Sequence, residues 1–302
     1  MSWINLALLS AATLGAVNII DSHLISKRMP SLRVFLLLSG IIILVFTLIL
    51  FRLFPIPQGT SVRIVSLAVA SGILRTAAVI IMLYNLKREE VSRVVPIVYA
   101  YPIFVAIMAV PLLGESLHYL EWLAIIIVVA GAVMVSARQT PSGTTMWKVK
   151  PMLLLFGSSL LFALADITSK YVLNYISAWN LLWLSMSCVS GIFLLISIHP
   201  LTFKQLGNIK QRKSAIGLLI LDETLALIGM TLSLSAIEKG PVSLVSTIIG
   251  SRPVFVVIAA LILSRVAPSF LEWHPGIGKG MLALRFIATA MIAGGIAIIH
   301  LT

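Results

Sequence analysis

Ten apolar runs, each close to twenty residues, occupy most of this sequence, and a run of that length is a candidate transmembrane helix. Their spans are 3–25, 32–53, 63–86, 91–113, 119–137, 151–174, 178–198, 214–237, 241–264 and 281–300. Short loops consume nearly all the rest, so no separate soluble domain is expected. Composition says why the runs cannot be soluble core. Charged residues make up 11% of the 302 positions and hydrophobic ones 60%, against about 25% charged in an ordinary soluble domain. Such a chain lacks the polar groups to cover its own surface, so lipid must be its main solvent. The expected fold class is an all-α membrane protein with ten transmembrane helices.

The formal net charge of +12 is spread over membrane-flanking loops rather than gathered into a stripe. That distribution argues against nucleic acid as a partner and for topology as the cause. Lys and Arg in short loops mark the cytoplasmic side. Sixteen fall in the loops of one side, near 27–33, 87–93, 138–150, 204–213 and 265–285, and four on the other: Arg52, Arg63, Lys170 and Lys239. The bias predicts both termini outside the cytoplasm, in a multi-pass protein of the cell's inner or plasma membrane. The first run lacks a basic leader and a small-residue cleavage pattern, so it reads as a retained helix. Lone Cys188 excludes a disulfide framework and reads as a small buried residue.

A repeat lies within the chain. Residues 84–122, "YNLKREEVSRVVPIVYAYPIFVAIMAVPLLGESLHYLEW", match 235–273, "SAIEKGPVSLVSTIIGSRPVFVVIAALILSRVAPSFLEW", at an offset of 151 without a gap. Thirteen of the 39 positions are identical, among them Pro102/Pro253 and the Leu-Glu-Trp at 120–122 and 271–273. Segments five and ten match again as Ala130-Gly131 and Ala293-Gly294, at an offset of 163. The second half thus carries an insertion, "HPGIGKGMLALR" near 274–285. The organisation expected is a first five-helix repeat at 1–138, a loop at 139–150 and a second repeat at 151–302. Five helices reverse the direction of the chain, so the halves must be inverted about an axis in the membrane plane. That arrangement is typical of secondary transporters, with the solute site near mid-bilayer between the repeats.

With "YPIFVAIMAVPLLGE" closing segment four and "AGAVMV" in segment five, the chain resembles the EamA group of the drug/metabolite transporter superfamily over essentially its whole length. The resemblance matches the family's helix-four proline to Pro102 and its Gly-Glu turn to Gly114-Glu115. The second half keeps Pro253 but has Arg265-Val266 in place of Gly-Glu. The resemblance implies a transporter of small polar or amphipathic metabolites, amino acids among them, working as an exporter. Relatives in the superfamily exchange phosphorylated or nucleotide-linked sugars, and a lipid-linked flippase is a further alternative.

Charge inside a membrane is costly and is a functional hypothesis by default. At 1.5 Å per residue, Arg75 lies about 18 Å into segment three, Asp222 about 13 Å into segment eight and Arg252 about 18 Å into segment nine. Glu223 adjoins Asp222. The offset of 151 places Asp222 and Glu223 on Ser71 and Gly72, and Arg252 on Tyr101. Arg75, Tyr101, Asp222, Glu223 and Arg252 are therefore candidate solute-binding residues, with Asn18 added from segment one and Tyr99 as a stacking or hydrogen-bonding neighbour. Asp222 and Glu223 are also candidates for proton coupling. The blander alternative is that the two arginines pair with the two acids as a structural network. Asp166 and Lys170, spaced i, i+4, read as an interfacial ion pair, and Asp21 as interfacial. Glu115 and His118 read as caps or gates. Pro102 and Pro253, with Pro96 and Pro111, predict helix bends, while Gly157-Ser158-Ser159 and Gly294-Gly295 predict close helix contacts. No nucleophile-base constellation, Gly-rich phosphate loop or metal-ligand spacing is present, so an enzyme, a cofactor and a metal are not expected. The partners expected are a small-molecule solute and the bilayer, with the chain a monomer or homodimer.

Overall fold

The computed structural model describes residues 1–86, 97–136, 149–266 and 279–302, and all regular structure among them is helical. Helix α1 spans Trp3–His23 and runs on into a π-helical turn, Leu24–Arg28. Then come α2 (Leu32–Leu53), α3 (Val62–Leu86), α4 (Tyr101–Leu113), α5 (Tyr119–Ser136), α6 (Val149–Val172) and α7 (Ala178–Ser197). A short helix at Pro200–Gln205 precedes α8 (Arg212–Lys239), α9 (Val242–Ile249), α10 (Arg252–Val266) and α11 (Lys279–Leu301). Three helices start on a serine whose hydroxyl accepts an otherwise orphaned backbone N–H: Ser2 from Asn5, Ser31 from Val34 and Ser177 from Asn180.

Among the described residues, seven helices are long and apolar enough to cross a membrane. One of them, Val242–Ala260, joins α9 to most of α10. Three shorter apolar helices, Tyr101–Leu113, Tyr119–Val135 and Phe286–Leu301, stand where segments four, five and ten were expected. Large apolar side chains such as Leu48, Phe51, Leu195 and Phe286 remain exposed on the outer faces of the bundle. Lipid tails cover such faces as well as protein would, so the helices are held by close packing and interhelical hydrogen bonds. Ser10 donates to Gly229 O at 2.9 Å, Ser190 to Gly40 O at 2.8 Å and Ser158 to Ala78 O at 2.9 Å, each bond joining two helices.

The helix pairing obeys the inverted repeat. Helix α1 packs along α8 as α3 packs along α6, while α2 lies on α7 and α5 on α11. The α5–α11 seam shows the symmetry atom by atom. A Cβ on Gly131 would meet Ile292 Cγ1 at 2.7 Å and Ala288 O at 2.9 Å; one on Gly295 would meet Val128 Cγ2 at 2.5 Å and Ala124 O at 3.1 Å. Residues 124, 128 and 131 thus map onto 288, 292 and 295 at an offset of 164. The sequence match at 163, carried by Ala130-Gly131 and Ala293-Gly294, is thus one residue out of register with the contacts. Gly294 and Gly157 have nothing within 4 Å of an added Cβ, so the contact glycine is Gly295.

The prolines act differently from a bend inside a continuous helix. The chain turns at Tyr99-Ala100 and again at Gly250-Ser251, and a new helix starts at Tyr101 and at Arg252 with proline as its second residue. Proline is well placed there, since the first-turn N–H would lack a partner in any case. The turns share their bonding: Ala100 N to Ile97 O matches Ser251 N to Ile248 O, and Ile103 N to Ala100 O matches Val254 N to Ser251 O. Both halves therefore carry a broken helix at the same place, and Pro102 rests on Gly250, 2.9 Å from where a Cβ would stand. Pro111 is inside α4, and Pro96 lies outside the described residues.

Candidate functional site

Two polar groups line the interior between the broken helices and α1, α3, α6 and α8. In the first, Arg75 donates from Nη2 to Asp166 Oδ1 at 2.6 Å, with the side chains 13% and 5% exposed. The other carboxylate oxygen of Asp166 accepts from Ser246 Oγ at 2.7 Å. Tyr101 donates to Ser246 O at 3.4 Å and lies with its ring centroid 5.9 Å from that of Phe162. This corrects the alternative of a structural network and one expectation. Arg75 pairs with Asp166 rather than with Asp222 or Glu223, and Asp166 is an interior group rather than the interfacial partner of Lys170. One turn of helix lets residues i and i+4 meet, but Lys170 Nζ is taken up by the carbonyls of Ile237 and Gly240, and Asp166 turns to the guanidinium across the seam.

The second group is centred on α1 and α8. Asp21 faces Asp222, carboxyl to carboxyl within hydrogen-bonding reach, and Glu223 lies beside Asp21 and against Ser39. Asp222 is 1% exposed with Oδ1 unpartnered, and Ser39 is fully buried with its hydroxyl unpartnered. Asp21, expected at the membrane surface, is thus drawn into the site because α1 packs along α8. One turn before it, Asn18 donates through Nδ2 to Tyr99 Oη at 3.0 Å. The Arg252 guanidinium lies near the hydroxyls of Tyr99 and Tyr101, and its buried Nε has no partner. Among the described residues neither Arg252 nor any of the three acids is in an ion pair. Arg252, Tyr99, Asn18, Asp21, Asp222 and Glu223 therefore trace one polar path through the bundle, cationic at the α10 end and acidic at the α8 end. Gly15 lets α1 reach α10 here: a Cβ on it would stand 3.1 Å from Phe255 Cβ and 3.4 Å from Val256 N.

The repeat shows what the acids replace. Gly72, the equivalent of Glu223, brings α3 hard against α7, where an added Cβ would meet Ser185 Cα at 2.9 Å. Ser39 stands as far into α2 as Ser185 does into α7. The same seam in the other half holds a glutamate instead of a glycine, and α8 and α2 touch far less than α3 and α7 do.

The sequence profile of the EamA-like transporter family matches residues 1–137 and 149–289. The chain belongs to that family. It is accordingly a multi-pass membrane protein of a transporter, not an enzyme, family. A search of curated proteins gave no match. A solved structure described only as a crystal structure of a protein aligns with 99% of this chain and 95% of its own, with a TM-score of 0.69 at 17% identity. At that identity the likeness speaks for the fold of this EamA-like transporter alone.

Of the residues singled out in the sequence, Arg75, Arg252, Asp222, Glu223, Tyr101 and Asn18 lie in these two groups; Asp166 and Asp21, read as interfacial, and Ser246, not singled out, lie there too. One signal was available. Phe162, Asp166 and Lys170 recur at four-residue spacing and so share a face of α6. Glu115 was read as a cap or gate, and it caps α9. Cys188 is half-buried, with Sγ 3.6 Å from Val69 O.

Proposed function

We propose that this EamA-like protein is a secondary active transporter working by alternating access, and that its solutes are small metabolites carrying both an anionic and a cationic group, such as amino acids, moved outward. The observation that carries the reading is Arg252. It is a permanent cation inside the bilayer, and it shares a polar path with three carboxyl groups; among the described residues Arg252 has no carboxylate partner and those carboxyl groups have no cation. Burying one charge unpaired costs several kcal/mol, so a chain that keeps both signs apart is arranged for a ligand that brings the complements. A solute carboxylate suits Arg252, whose planar fork favours bidentate contact, with Tyr99 beside it; a solute ammonium suits Asp21, Asp222 and Glu223. Asp222 and Glu223 are also where a coupled proton would be carried. The full architecture in this reading is ten spans in two inverted repeats, with both termini on the non-cytoplasmic face. A phosphate clamp of two arginines fits less well, because Arg75 is engaged by Asp166.

The test is reconstitution in liposomes with a panel of amino acids, sugar phosphates and lipophilic cations, with and without a pH gradient. Saturable uptake of free amino acids, lost in their N-acetyl and ester forms and in Arg252→Ala, is expected. Transport of sugar phosphates instead, or of nothing in the panel, would overturn it.

A further inference from the structure

The elbow between α8 and α9 is gripped by two ions of opposite sign, neither of which belongs to either helix. Lys170, near the end of α6, donates from Nζ to the carbonyls of Ile237 and Gly240 at 2.8 Å and of Glu238 at 3.4 Å. These carbonyls belong to the end of α8, where a helix gathers partial negative charge. Two residues on, Glu115 receives the first N–H groups of α9: Val242 N at 2.5 Å and Ser243 N at 3.3 Å, together with the Ser243 hydroxyl. Glu115 reaches them from the tight turn after α4, which Gly114 closes at φ +68°. A third element backs the elbow, since a Cβ on Gly240 would stand 2.6 Å from the indole of Trp3.

One turn deeper on the same face of α6, Asp166 joins Arg75 to Ser246, and a further turn in, Phe162 lies on Tyr101. This side of the bundle is therefore shut in two polar layers. On the other side the offset of 151 places Val266 at the position of Glu115, and a valine side chain can accept no hydrogen bond. There Glu223 stands where Gly72 closes the first half, and α8 and α2 stay apart. Two near-equivalent halves that close differently on their two sides fit one of the two states of an alternating-access cycle.

We propose that Glu115 and Lys170 form a latch that holds the Glu115 side of the transporter shut, and that release of the α8–α9 elbow from both is the step that opens this side. The latch rests on the transport reading for its place in a cycle, but its closed state is an equilibrium that needs no solute to be seen. A hydrogen bond to a charged group contributes enough that removing one shifts a two-state balance roughly tenfold.

The experiment uses the full chain with Cys188→Ala, so that Phe162→Cys provides the sole thiol, one turn beneath Asp166. A membrane-impermeant cationic thiol reagent is applied to each face separately. The latch predicts slow labelling from the Glu115 face, raised about tenfold by Glu115→Gln and by Lys170→Met, and no rise from the opposite face. Ser243→Ala, which keeps both charges, covers the event that either variant fails to fold, and should raise labelling less. Unchanged labelling from the Glu115 face in the folded variants overturns the latch. Raised labelling in a protein that moves no solute in liposomes retains the latch and overturns the transport reading.

Discussion

Asp166→Asn isolates the interior pair. The substitution keeps the shape of the side chain and removes the charge that Arg75 faces at 2.6 Å. Arg75 is 13% exposed and cannot deprotonate, so it is left as an uncompensated cation in a dry seam. Breaking a buried pair in this way costs about 3–5 kcal/mol, of which the Coulombic attraction alone is a poor measure because desolvation opposes it. The Ser246 hydroxyl can still bond the amide, donating to its oxygen or accepting from its NH2, so this bond adds little to the loss. For a chain of this size each kcal/mol moves the unfolding midpoint by about 2 °C or more, and a fall of roughly 6–10 °C is expected. The assay is thermal unfolding in detergent, followed by monodispersity on size exclusion. The double variant Arg75→Met with Asp166→Leu removes both charges, and it should recover most of the lost stability, because apolar residues of similar volume replace buried pairs at little cost. Two results refute the reasoning: an Asp166→Asn midpoint within about 1 °C of wild type, or a double variant as unstable as the single. If the stable double variant also transports normally, Arg75 serves architecture and drops out of the solute site.

Gly295→Ala and Gly131→Ala each drive a Cβ to within 2.7 Å of a facing side chain, and overpacking of this kind costs about 1–3 kcal/mol. Gly294→Ala, with open space, should be neutral or slightly stabilising by the same unfolding assay. If Gly294→Ala proves the destabilising one, the offset of 164 is wrong. A reporter active only in the cytoplasm, fused after Thr302, should stay silent, and activity there would reverse the orientation read from the loop charges.

The sequence by itself determined the broad outcome here, since 60% hydrophobic content in ten runs leaves no option but helices in lipid. The offset of 151 carried the inverted repeat, and it placed Arg252 opposite Tyr101 and Glu223 opposite Gly72. These are properties of spacing, and spacing is written along the chain. Which charges meet was not, because an ion pair between segments depends on the rotation of each helix about its axis. Asp166 turned inward to Arg75 rather than along its own helix to Lys170, which freed Lys170 for the α8 carbonyls. Asp21 joined Asp222 because α1 lies on α8, a pairing that Gly229 permits by close approach: a Cβ there would meet Leu14 Cγ at 2.7 Å. Prolines told of a disturbance in both halves, but only the tertiary structure turned it into two broken helices with Pro102 resting on Gly250. In lipid, close packing and buried polar contacts decide such matters, and both depend on which atoms face each other across a seam.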